Sequence, residues 1–407
     1  MRFSFIHAAD LHIDSPLAGL RLKDAAVAER FANAGRAAVT ALIDEAIASK
    51  AAFLVIAGDV FDGSWKDVTT GLFFVSAIAR LHREGIPSFI VKGNHDAESV
   101  VSRDLPYPDT VKVFPSNKAE SFALEAQRVV LHGRSFPNRH IDEFVATYPA
   151  RRDGWLNIGV LHTSLDGRPG HVGYAPCSVD DLKRFGYDYW ALGHVHAHEI
   201  VHDDPWIVFP GNLQGRSIRE TGAKGAVRVT VEDGRIVEVV PLALDGARWA
   251  HLSVDLQDVT AEDDVTARVV AAVTEAHDAA EGRPLAIRVT LTGATALHNQ
   301  LVARRESIED DLRARAFQLQ DDCWIEQLKL RTSLPPRPVA LSSAESLDLD
   351  RLLDTAADDP AFAATLYELI ETVKAKLPKD LLDELQADEV QARLASEARA
   401  LLGGALS

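Results

Sequence analysis

Over the first 250 residues, short apolar runs alternate with stretches whose apolar residues recur every three or four positions. Seven runs have the length of strands: Phe3–Ala8, Phe53–Ala57, Pro87–Lys92, Arg128–His132, Leu156–His162, Tyr189–Leu192 and Trp206–Phe209. Among the periodic stretches, Ala28–Ser49 carries Phe31, Val39, Leu42, Ile43 and Ile47 at helical spacing, and Thr69–Arg83 follows the same rule. Strands alternating with helices predict a layered α/β domain over 1–250. Residues 251–332 then read as a smaller α/β module: strand His251–Leu256, helix Asp263–Ala280, strand Leu285–Thr292, helix Leu297–Ala316 and strand Cys323–Arg331. A Pro- and Ser-rich linker, 333–346, leads to a tail over 347–407 with amphipathic helical patterning, broken at Pro360 and Pro378 and ended at Gly403 and Gly404.

The strand-like runs end in polar residues in a repeated way. "FSFIHAADLHIDS" runs into Asp10 and His12; on extended backbone, residues two apart share a face, so the pair projects together. "FLVIAGDVFDG" ends in Asp59, "PSFIVKGNHD" in Asn94, His95 and Asp96, "LNIGVLHTS" in His162, and "YWALGHVHAHE" in His194 and His196. Any one of these fits a structural histidine or a solvated strand end. Five together, with Gly58, Gly93 and Gly193 beside them for tight turns, point to a metal centre, because ligands in open α/β sheets collect at the carboxyl ends of strands. Carboxylate, amide oxygen and imidazole without thiolate favour manganese, iron or zinc over calcium or a cysteine-rich zinc site. Seven ligands exceed one tetrahedral site, and two cations roughly 3.5–4 Å apart can clamp the attacking and leaving oxygens of a phosphoryl displacement. A phosphoester is the natural electrophile.

Composition narrows the setting. The chain has 407 residues, enough for two or three domains, and a formal net charge of -17. That charge counts against a self-sufficient nucleic-acid binder without excluding one. Basic residues gather in Arg128–Arg152 and in the run Arg216, Arg219, Lys224, Arg228; each is either solvated loop charge or a phosphate contact. Cys177 and Cys323 match no zinc or redox spacing, so a reducing, cytoplasmic location is expected. No run of 18 uncharged apolar residues is present and a strand pattern begins within a few residues of Met1, so neither membrane span nor signal peptide is expected.

The five motifs, in this order and spacing, resemble those of the calcineurin-like metallophosphoesterases over residues 1–215. Within that superfamily the chain resembles the DNA repair exonucleases of the SbcD and YhaO type, through "HAADLHIDSPL", "GYDYWALGHVHAHE" and "FPGNLQGRS". The resemblance implies a layered β-sandwich flanked by helices, with 251–332 as a capping domain. It implies a metal-dependent phosphodiester hydrolase, a nuclease acting on DNA in repair. Two divalent ions are implied, Mn2+ foremost with Fe2+ or Zn2+ as alternatives. One would be held by Asp10, His12 and His196, the other by Asn94, His162 and His194, with Asp59 bridging. His95 would meet the scissile phosphate, stabilising its charge or protonating the leaving oxygen, and Asp96 would orient His95. An SMC-like ATPase partner is implied, and a homodimer is compatible. Two rival readings stand beside this one: a small-molecule phosphodiesterase or phosphatase of the same superfamily, and a non-catalytic scaffold.

Three further features carry expectations. Arg216, in "GNLQGRS", is placed to contact phosphate or to lie in solvent. Asp62 departs from many of these nucleases, which carry a histidine there. It either caps the following turn or faces the phosphate, and on the second reading Asp62→His should raise duplex exonuclease activity. The segment from Ser333 to Ser407 holds 14 acidic and 7 basic residues, so it should avoid DNA; its apolar positions either pack on the preceding domains or dock the ATPase.

Overall fold

Strand β1 (Arg2–Ala8) lies inside the first of two six-stranded sheets, whose order is β12-β11-β1-β2-β3-β4, with β2 at Leu54–Ala57, β3 at Ser88–Val91, β4 at Val111–Val113, β11 at Gly225–Glu232 and β12 at Arg235–Ala243. β1 to β4 run parallel, and β11 pairs antiparallel with β1 from Arg2↔Glu232 to His7↔Val227. The second sheet has the order β5-β6-β7-β8-β10-β9, formed by Glu120–Leu124, Val129–Gly133, Leu156–His162, Tyr189–Gly193, Trp206–Phe209 and, as β9, Glu199–Asp203. Its four inner strands are parallel and its edges, β5 and β9, antiparallel. The computed structural model describes residues 1–15, 25–62, 68–98, 105–137, 147–165, 177–319 and 322–335, with positions 364, 365, 368 and 372. The predicted linker beyond 335, and the tail apart from those four helical positions, lie outside the described residues.

The sheets stack because their central strands are apolar on both faces. Phe5, Phe53, Val55, Phe89, Val160, Tyr189, Ala191, Val208 and Val229 meet between them. Their neighbours along the strands face outward: Ile6, Leu54 and Ile56 pack on Val39, Leu42 and Ile43 of α1 (Ala25–Ala48) and on Phe74, Ile78 and Leu81 of α2 (Val68–Arg83). On the far face, Trp190, Leu192 and Ile207 pack on Leu182 of α4 (Val179–Arg184); α3 is the short helix Asn94–Glu98. A helix–sheet–sheet–helix sandwich results, as the family resemblance implied. Period-2 patterning brings alternate residues of one strand to two different cores.

All seven predicted strands are present. The β11–β12 hairpin was not anticipated, although its turn at Asp233 and Gly234 has φ of 49° and 77° and is an Asp-Gly hairpin signal. It covers β1, which would otherwise be an edge.

The chain divides into two compact units. The first comprises Met1–Ala250 with His277–Ile287 and Asp322–Glu326; the second comprises His251–Ala276, Arg288–Asp321 and the chain from Gln327 on. A three-stranded sheet, β13-β14-β15, forms from Arg248–Asp255, Leu285–Ala294 and Cys323–Ser333. Helix α5 (Glu262–Ala279) buries Val265, Val269 and Val273 along one stripe. The helix predicted over Leu297–Ala316 is two, α6 (His298–Ala303) and α7 (Arg305–Leu319), because Arg304 leaves helical geometry at φ -107° and ψ 17°. Among the described residues, no helix is long and apolar enough to cross a membrane.

Candidate metal centre

The polar residues predicted from the strand ends converge, though not as strand alternation would have it. β1 stops at Ala8, and Asp10 and His12 adopt left-handed backbone with φ of 51° and 41°. Asp59 (φ 53°) and His194 (φ 97°) do the same after β2 and β8. For residues other than glycine such backbone costs about 1–3 kcal/mol each and persists only where the surroundings enforce it. Here the loops after β1 and β2 are tied together: Asp10 N–H donates to Gly58 O at 2.9 Å, His12 to Asp59 O at 3.0 Å and Ile13 to Val60 O at 3.0 Å. The glycines serve differently from one another. Gly58 has φ of 100°, as the turn reading expects. Gly193 has no positive φ but admits no side chain, since a Cβ there would stand 2.0 Å from Ala57 O.

The ligands predicted from the sequence fall into two groups, and His12, Asp62 and His95 also bring ligand atoms within 4.8 Å of one another. In the first, Asp10 Oδ1 lies 3.8 Å from His196 Nε2 and 4.0 Å from His12 Nε2. In the second, Asp59, His162 and His194 bring their ligand atoms within 4.8 Å of one another, and Asn94 Oδ1 is 3.0 Å from His162 Nε2. Asp59 Oδ2 reaches both, at 3.9 Å from His12 Nε2 and 3.3 Å from His162 Nε2. Separations near 3.9 Å are too long for hydrogen bonds. Two atoms each about 2.1 Å from one ion stand about 3–4 Å apart, so they suit shared ligation. The donors fit a cation on a second ground: Asp10 Oδ1 and both ring nitrogens of His12 are buried without a hydrogen-bond partner, which is costly unless something else satisfies them.

Fixed partners aim the imidazoles. His162 Nδ1 donates to Ala57 O at 2.9 Å, which turns Nε2 toward Asp59. Burial alone would lower the His162 imidazole, but Asp59 above all, with Asp10 and the Ala57 carbonyl, lifts it to about 9. Burial would likewise raise Asp59, yet His162 and His12 hold its carboxyl well below the usual range. Asp10 is raised, chiefly by burial. A cation taken up here therefore displaces a proton from His162.

His95, one-third exposed, stands at the open side of this cluster. Its orienting carboxylate is not Asp96, as expected, but Asp62: Asp62 Oδ1 lies 3.2 Å from His95 Nδ1, and Oδ2 accepts from Ser15 Oγ at 2.8 Å. Asp96 accepts instead from the backbone N–H groups of Val60, Phe61 and Gly93 at 3.1, 2.9 and 3.0 Å, holding the Asp59 loop to the Asn94 turn. The resemblance implied Asp96 for this role, but the carboxylate serves the backbone of two loops instead. The Asp62 hydrogen bond is the main cause that raises the His95 imidazole above its ordinary value. Arg216 joins the group, its Nη1 4.0 Å from Asp62 Oδ2, so the Asp62 carboxylate has a guanidinium and an imidazole beside it. The turn that Asp62 was expected to cap, 63–67, lies outside the described residues.

Sequence reasoning missed Glu220, whose Oε1 accepts from His196 Nδ1 at 2.7 Å; 24 residues separate them and no motif links them. Histidines outside the cluster have structural partners, among them His7 with Tyr189 Oη and Leu192 O, His132 with Ser121 and Asn157, His198 with Phe209 O, and His202 with Pro205 O. His171 lies outside the described residues.

Residues 3–198 match the calcineurin-like phosphoesterase family, and residues 249–333 match the middle domain of the metallophosphoesterase YhaO. The metallophosphoesterase YhaO of Bacillus subtilis is 34% identical over 317 residues, covering 76% of each chain. The DNA double-strand break repair protein Mre11 of Methanopyrus kandleri is 26% identical over 262 residues, or 57% of this chain and 55% of that one. Among solved structures, a dimetal phosphatase from Danio rerio aligns with 58% of this chain and 98% of its own at 13% identity, with a TM-score of 0.34. With five strand-end motifs folded into one cluster of metal-type ligands and a YhaO relative matched along three quarters of its length, this chain belongs to the calcineurin-like metallophosphoesterases, in the YhaO type.

Proposed function

We propose that this metallophosphoesterase is a two-metal phosphodiesterase that hydrolyses DNA in repair, loaded with Mn2+ and acting with an SMC-like ATPase docked on its C-terminal segment. The observation that carries the two-ion reading is Asp59, whose Oδ2 is within 3.9 Å of a ligand nitrogen in each group. Asp10, His12 and His196 would hold one ion and Asn94, His162 and His194 the other. When bound, divalent ions supply Lewis acidity and a water acidic enough to ionise near neutral pH. The chain supplies the rest. His95, kept protonated by Asp62, donates to the departing oxygen. Arg216 offers a fixed cation beside the place where a phosphate meets the cluster. The similarity to Mre11 supports DNA as the substrate class.

The test is cleavage of labelled single- and double-stranded DNA by the manganese-loaded protein, alongside cyclic nucleotides and phosphomonoesters. Metal-dependent DNA cleavage is the expected result. Turnover of the small substrates without DNA cleavage would replace this reading by the small-molecule one. Inertness toward all of them, bis-p-nitrophenyl phosphate included, would leave a scaffold.

A further inference from the structure

Among the histidines assigned as ligands, His196 has a carboxylate on its outer nitrogen. Glu220 Oε1 is 2.7 Å from His196 Nδ1. A carboxylate has no proton to give, so at this short contact the ring proton sits on Nδ1, although Arg216 Nη2 also approaches that nitrogen at the longer distance of 3.3 Å, and the lone pair is on Nε2, which faces Asp10 Oδ1 at 3.8 Å. Glu220 is itself held in place. Its Oε2 accepts from Asn212 Nδ2 at 2.9 Å and from the backbone N–H of Arg216 at 2.7 Å, and Arg216 Nη2 approaches Oε1 at 3.4 Å. Four donors from three residues thus fix one mostly buried carboxylate.

The second ligand group is supported differently. His162 Nδ1 donates to a backbone carbonyl, Ala57 O, at 2.9 Å. A carbonyl sets the tautomer as well as a carboxylate does, yet it carries no full charge to strengthen the imidazole as a ligand. His196 and His162 therefore differ in their supporting partners, and the two positions also differ in one ligand, Asp10 in the first and Asn94 in the second.

We infer that Glu220 is a positioning residue which sets the His196 tautomer, strengthens the cation position at Asp10, His12 and His196 selectively, and ties that position to the Arg216 guanidinium. The inference rests on the two-ion reading above and extends it to the strength of one position against the other. Loss of such a supporting carboxylate weakens metal affinity by about 10–100-fold in comparable sites.

Calorimetric titration with Mn2+ tests it in the full chain. Wild type should bind two ions; if it binds none, the two-ion reading itself fails, and that outcome is distinct from failure of the inference. Glu220→Ala should keep one ion at wild-type affinity and bind the other about 10–100-fold more weakly. The retained position also reports that the variant is folded. Glu220→Asp, which restores the charge on a shorter arm, should recover part of the loss. Nitrogen-15 spectra of the imidazoles, read before metal is added, should show the Nδ1–H form of His196 in wild type and its loss in Glu220→Ala. Two ions bound at wild-type affinity by Glu220→Ala, an equal loss at both positions, or an unchanged His196 tautomer would each overturn the inference. Should Glu220→Ala not fold, Glu220→Gln, which keeps an acceptor without the charge, is read by the same two measurements.

Discussion

Replacing Asp62 by Asn separates proton donation from metal binding. Asp62 holds His95 through a 3.2 Å contact and is the main cause raising its imidazole. Hydrogen bonds to charged groups contribute about 1.5–3 kcal/mol, and the partial exposure of both side chains argues for the lower end. About 1.5 kcal/mol corresponds to roughly a tenfold change in population. The sign follows from the role. A donor must carry its proton, so activity limited by His95 falls as pH rises through its folded pKa. Without the carboxylate that pKa drops, and the alkaline limb of the rate profile moves to lower pH. On DNA, Asp62→Asn should match wild type at low pH and fall about tenfold behind above the limb. On bis-p-nitrophenyl phosphate, whose leaving group departs unprotonated, the shift should nearly vanish. Bound metal should be unchanged, since Asp62 is outside the ligand set proposed here. An alkaline limb that stays in place, or an equal loss on both substrates, refutes the reasoning. The same contact reverses the expectation for Asp62→His: an imidazole opposite His95 replaces the charged carboxylate that raises it, so duplex cleavage should fall rather than rise.

His95→Gln should keep both ions and lose about 10²–10⁴-fold in DNA cleavage, whereas Asp59→Asn should lose metal because its oxygen is shared by both groups; metal analysis of the two purified variants decides, and equal metal loss would remove the distinction. His7 is buried and its imidazole is lowered to about 3, chiefly by burial. From about pH 6.5 downward the unfolded chain gains a proton that the folded chain refuses, so stability at pH 5 should be about 2 kcal/mol lower on this account. Urea unfolding at pH 7 and pH 5 should show a smaller difference for His7→Phe than for wild type, and equal differences would assign the pH dependence elsewhere. A chain ending at Pro336 should retain hydrolysis of bis-p-nitrophenyl phosphate while losing affinity for a purified SMC-like ATPase; unchanged affinity would end the docking proposal.

The central strands, the two main helices and the identity of the residues that cluster were all legible in the sequence. Apolar runs of four to seven residues between turn glycines, each ending in carboxylate, amide or imidazole, are local patterns, and local pattern decides secondary structure and residue type. What brings five such ends to one place is the order β1-β2-β3 in one sheet and β7-β8 in the other, which is settled by pairings between residues as far apart as Ile6 and Leu54. Only the tertiary structure decided the left-handed backbone at Asp10 and His12, since it exists through hydrogen bonds to a loop that begins at Gly58. The same holds for Asp62 as the partner of His95 and for Glu220 as the partner of His196. Ligand identity is written residue by residue along the chain, whereas the supporting hydrogen bonds depend on where distant loops are held, and a one-dimensional pattern carries no record of that.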